Sequence, residues 1–179
     1  MDHDIKIFGE PQQQEDLESV AAQTEALRAS GELDRAKRLG RELAALSAKS
    51  PELTNLAESF GVALTPAREQ QLQVLMVFSG QHALREILVP QLLAEAAITA
   101  MNNFLINKSR AFWDTIADGN AFTQYLLAER AGANCEESAV LMGEVFARVC
   151  GQEDNLDLHR LGETVFSTAH ELVEAKWGG

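Results

Sequence analysis

The chain has 179 residues, 46% of them apolar and only 6% aromatic, so a single core built mainly from Leu, Ala, Val and Ile is expected. Its formal net charge of −12 sets the main body against phosphate backbones and excludes nucleic acid as its partner. Two cysteines are too few for a disulfide scaffold or a cysteine metal site.

Residues 1–11 are charged, contain Gly9 and Pro11, and have one short apolar cluster, Ile5, Ile7 and Phe8. They read as a flexible or loosely docked tail. The N-terminal residues are acidic and hold no long apolar run, so no signal peptide is expected. Residues 87–106 come closest to a membrane span, but Pro90, Gln91, Glu95, Asn102 and Asn103 interrupt them. A cytoplasmic protein with no membrane partner is expected.

From residue 12 onward apolar residues recur at three- and four-residue steps, the mark of amphipathic helix. A first helix over 12–29 carries the stripe Leu17, Val20, Ala21, Thr24 and Leu27. Ser30-Gly31 stops it. A second helix over 32–48 aligns Leu33, Ala36, Leu39, Leu43 and Leu46, and the two narrow seams predict an antiparallel helical hairpin. The segment from Gly31 to Ala36, followed by Leu39 and Leu43, resembles the second half of a tetratricopeptide repeat. The resemblance covers about sixteen residues. The first-helix pattern is missing and residues 51–84 do not repeat it, so a generic helical hairpin is the better account.

A short helix over 51–60 follows. Thr65-Pro66 is a cap-plus-N1 signature for the next one, whose run Leu72, Val74, Leu75, Met76, Val77 and Phe78 predicts the centre of the core. Gly80 and Pro90 bracket its expected end. A further helix starts near Pro90 with Leu93, Ala96, Ala97, Ala100, Met101, Phe104 and Leu105. Ser109 caps another, interrupted at Asp118-Gly119-Asn120 and resuming to about Arg130. Asn134 with Glu137 forms a capping-box pattern before a helix over 135–150, and Asp154 or Asn155 caps the last one. Cys135 and Cys150 fall at the ends of one expected helix, about 22 Å apart, so they cannot bridge and are expected to be reduced and largely buried.

Candidate chemistry is sparse. No histidine among His3, His82, His159 and His170 has Glu three residues before it, as a di-iron bundle requires. His82/Glu86 and His170/Glu174 are four-residue pairs, each able to offer two metal ligands from one helix face. Asp114 and Asp118 also share a face, where paired carboxylates could do acid–base work. Asn102, Asn103 and Asn107 could line a polar pocket. Arg35, Lys37, Arg38 and Arg41 could meet an anionic partner, although docking on acidic surface is their simplest role.

The reading is an all-α protein: a tail over 1–11, an antiparallel helical hairpin over 12–50, and an orthogonal or up-down bundle of about five helices over 51–179. The expected role is a non-enzymatic interaction or assembly protein, self-associating as a homodimer with the hairpin at or near the interface. The alternative is a small-ligand or metal-binding helical enzyme using His82, His170 and neighbouring carboxylates. On the first reading no catalytic residue, metal or cofactor is expected.

Overall fold

The computed structural model describes residues 11–48 and 51–179, with side chains from Leu17 onward and excepting that of Asp118. The expected tail lies almost wholly outside them, as do His3 and Lys49. Among the described residues there are nine helices and no strand. They are α1 (Pro11–Ala29), α2 (Glu32–Ser47), α3 (Pro51–Ser59), α4 (Pro66–Ile87), α5 (Gln91–Lys108), α6 (Arg110–Asp118), α7 (Asn120–Ala131), α8 (Cys135–Val149) and α9 (Leu156–Trp177). No helix among them is long and apolar enough to cross a membrane. The described chain divides after Arg35 into two units.

In the first unit, α1 ends at the Ser30–Gly31 turn, where Gly31 takes φ +81°, a left-handed conformation open to glycine at little cost. Leu27 and Leu33 are buried, but Leu17 and Val20 are exposed. The expected stripe of α1 is therefore covered only near its C-terminal end.

The second unit runs from Ala36 to Gly179. Side-chain caps fix where its helices begin. Thr65 Oγ1 accepts from the Arg68 amide with Pro66 at the first helical position, and Ser109 Oγ accepts from Phe112 N. Asn134 Oδ1 accepts from Glu137 N, while Glu137 Oε2 accepts from Ala133 N, one residue before the cap. Asn155, rather than Asp154, caps α9 by accepting from Asp157 N and Leu158 N.

Residues 51–179 hold seven helices where about five were expected. The short α3 forms, and the break at Gly119 separates α6 from α7. Gly119 is extended (φ −80°, ψ 131°), at once the C-cap of α6 and the N-cap of α7. A Cβ there would press on the Thr115 carbonyl oxygen.

α4 is the central helix, packing against α5, α7, α8 and α9. Every residue from Val74 to Leu84 is buried. It runs through Gly80 and ends at Ile87, between Gly80 and Pro90 as expected. A mid-helix glycine costs only about 1 kcal/mol against alanine, which packing on both sides outweighs. This continuation carries His82 and Glu86 on the central helix.

α8 and α9 form the most extensive pair. Their closeness is set by Gly143 and Gly162: a Cβ on Gly162 would lie 2.9 Å from the Gly143 Cα and 2.8 Å from the Phe146 Cβ. Gly40 plays the same part between α2 and α5, where a Cβ would run into the Ala97 carbonyl. Neither Gly40 nor Gly80 ends a helix.

Candidate histidine–carboxylate centre

Three helices bring four side chains together. α4 supplies His82 and Glu86, one turn apart on one face. α7 supplies Glu129, one turn beyond the buried Tyr125. α9 supplies His170, one turn beyond Phe166. Both imidazoles are buried against aromatic rings: His82 lies 5.2 Å and His170 4.6 Å from Phe166, centroid to centroid, and Phe78 stacks 6.4 Å from His82. Glu86 reaches in from an exposed position and Glu129 from a half-buried one.

The hydrogen bonds fix the tautomers. His170 Nδ1 lies 3.0 Å from the Phe166 carbonyl oxygen, which can only accept, so Nδ1 carries a proton. Neutral His170 therefore presents a lone pair at Nε2. His82 Nδ1 sits 2.9 Å from that nitrogen and donates to it. In neutral His82, Nε2 is then also a bare lone pair. It faces Glu129 Oε1 at 3.5 Å and Glu86 Oε1 at 3.8 Å, while Glu86 Oε2 lies 3.4 Å from His170 Nε2. Two imidazole lone pairs and two carboxylates converge with one N–H among them. Such a cluster has the donor atoms to hold a cation.

Burial pushes the pKa of His82 below its ordinary 6.5. Glu86 opposes that shift, His170 reinforces it and Glu129 opposes it. Desolvation by Phe78, Phe166 and the helices around them outweighs the carboxylates, which favours neutral His82 with Nε2 as its competent ligand atom.

One ligand atom each from His82, Glu86 and His170 lie within 4.8 Å of one another. The sequence singled out His82/Glu86 and His170/Glu174 as half-sites of one alternative metal site. The fold unites the first pair with His170 but puts Glu86, not Glu174, against His170 Nε2. Glu129 was missed. Its signal was its place four residues after Tyr125, on the face α7 turns inward.

The other candidates scatter. Asp114 pairs with Arg110 on the surface, 3.0 Å away, and the Asp118 side chain lies outside the described residues. His159 sits near the Glu153 carbonyl at the start of α9. Asn102 Oδ1 accepts from Gln81 Nε2 at 2.9 Å, while Asn103 and Asn107 line a separate surface trough. Cys135, expected to be buried, is exposed, because α8 begins there and its first turn faces outward. Its thiol pKa is raised by partial desolvation, then by Glu86, Glu174 and Glu136. Both cysteines are free. Comparison with protein-family models, with curated proteins and with solved structures found no match.

Proposed function

We propose that this protein binds a divalent transition-metal ion of the zinc or iron class at His82, Glu86 and His170. The observation that supports this reading is the convergence of one ligand atom each from His82, Glu86 and His170 within 4.8 Å. Two neutral imidazoles with Glu86 and Glu129 balance a 2+ charge, which a partly desolvated site favours. The Phe166 carbonyl already holds His170 with Nε2 presented, the outer-shell arrangement that orients metal-binding histidines. Three protein ligands leave a coordination position open, and the exposed Glu86 marks the side from which a small ligand or water reaches the ion. Glu129 stands beside that position as the group to take a proton from a bound water.

The ion competes with protons for the same lone pairs. Burial holds the pKa of His82 below 6.5, so metal is retained at a lower pH than a free imidazole would allow, and released on further acidification. The test is metal analysis of the full chain, stripped with chelator and reloaded with Zn²⁺ or Co²⁺. One ion per chain is expected at pH 7.5, lost in His82→Ala and His170→Ala and retained in Asp114→Asn. A stoichiometry that stays near zero, or that survives both histidine changes, overturns the proposal.

A second reading, assembly by self-association, rests on a different observation. Leu17 and Val20 are 71% and 50% exposed on α1, an apolar pair on an otherwise polar helix. We infer a homodimer that covers them. Light scattering of the full chain should show a dimer that Leu17→Glu with Val20→Glu converts to monomer. A monomeric parent chain rejects it.

A further inference from the structure

The outer face of α5 carries two parallel rows. Leu92, Ala96, Ala100 and Phe104 recur every four residues and are half-buried. Thr99, Asn103 and Asn107 run beside them and are exposed. α2 contributes a third row, Lys37 and Arg41, one turn apart. Together with Glu95 and Lys108 they bound an open trough of about 800 Å³. It extends about 24 Å, the axial rise of α5 between Leu92 and Lys108. The floor is low because Ala96 and Ala100 are small and, among the described residues, no further helix lies on them. Phe104 closes one end, with Lys108 Nζ 5.8 Å from its ring centroid.

The electrostatics run against the rest of the molecule. In a chain of net charge −12, the trough has three cations and one acid, and that acid, Glu95, already accepts from Gln91 Nε2 at 3.0 Å. Lys37, Arg41 and Lys108 form no ion pair among the described residues, whereas Arg28, Arg110, Arg148 and Lys176 each have a carboxylate partner.

We propose that this trough is a docking groove for an acidic amphipathic helix of a partner protein. Apolar side chains at three- and four-residue spacing would seat over Ala96 and Ala100, following the i, i+4 ridges that helices use to interdigitate. Carboxylates along one flank of that helix would meet Lys37, Arg41 and Lys108, whose field also steers the encounter. Asn103 and Asn107 would serve its other, polar flank. A phosphate chain would waste the apolar floor. A single-chain fatty acid would use one cation and leave the other two and the Thr99–Asn103–Asn107 row without a role. The proposal is independent of the histidine centre, whose residues lie elsewhere.

The test uses the full chain and a fluorescent synthetic peptide of about 16 residues, long enough for the trough. The probe has Leu at helical spacing and Glu on one flank; a counterpart has Lys in place of Glu. Anisotropy should show the acidic peptide binding and the basic one not. Lys37→Glu with Arg41→Glu should raise the dissociation constant about tenfold or more and allow the basic peptide to bind. Ala100→Trp should block both peptides, with circular dichroism confirming that each variant keeps its helices. Equal binding of the two peptides, indifference to the double reversal, or displacement of the peptide by stoichiometric laurate overturns the proposal. So does a change of oligomeric state on double reversal, which would make the occupant a second copy of this chain.

Discussion

Gly143 and Gly162 face each other where α8 crosses α9, and a single added methyl would meet Phe146 or the His159 carbonyl. Ala96 and Ala100 lie one turn apart on α5, half-buried on the floor of the open trough. Small residues do opposite things in the two places. At the α8–α9 crossing they let two backbones touch and tighten the core around Phe146 and Phe166. On α5 they leave a recess. What decides between a seam and a groove is whether a second helix covers the small residues.

The sharpest way to break this contrast is to empty the covered side. Phe166 is fully buried and walls both imidazoles. Phe166→Ala should cost about 3–5 kcal/mol in urea unfolding. A loss under about 1 kcal/mol would mean that the α4–α9 interior is not packed as described.

Overfilling comes next. Gly143→Ala should destabilise by about 1–3 kcal/mol, although alanine is the better helix former, because the methyl has no space beside His159 O. A stabilised variant would show that the two helices can part without penalty.

Phe104 tests the boundary between the two regions. Its place in the apolar run of α5 suggests a core residue, yet it is only half-buried and walls the trough. Phe104→Ala should therefore cost less than Leu75→Ala, at about 2–5 kcal/mol for the latter, fully buried side chain. Equal losses measured by the same denaturant titration would place Phe104 inside the core.

Ala100→Leu, filling the uncovered recess, should change stability by under about 0.5 kcal/mol. A large loss would mean that something already occupies the trough.

Acid provides a separate handle on the covered side. The folded-state pKa of His82 is lowered, so the unfolded chain takes up the proton first. Its contribution to stability is intact above pH 6.5 and is lost as pH falls from there toward the lowered folded value. Metal-free protein should lose stability over that window, and His82→Gln should flatten the loss. A parent curve that stays level from pH 7 to 5 would contradict the burial of a neutral imidazole.

The helices were legible because period and punctuation agree locally: Thr65-Pro66, Ser109, Asn134 with Glu137, and Asn155 all sit where a helix begins. The misreadings were tertiary. Cys135 reads as buried, but α8 begins there and its first turn faces outward. In the candidate centre, four-residue spacing marked His82 with Glu86. No local pattern could bring His170 to His82 across 88 residues, because that meeting is set by how closely α9 packs on α4. Gly143 and Gly162 help to place α9, yet in the sequence they are two unremarkable glycines inside helices.

Tyr125 is the chain's one tyrosine. Its ring is fully buried against Phe78, and its hydroxyl has no hydrogen-bond partner among the described residues. Desolvation, reinforced by Cys150, raises its pKa well above the ordinary 10.0. The stability that goes with the neutral phenol is complete below pH 10 and is lost as pH rises, when the unfolded chain ionises first. The molecule thus carries an optical reporter of its own interior. In alkali, phenolate absorbance should stay silent while the fold holds, then rise in one cooperative step as α4 and α7 separate, without any label being attached.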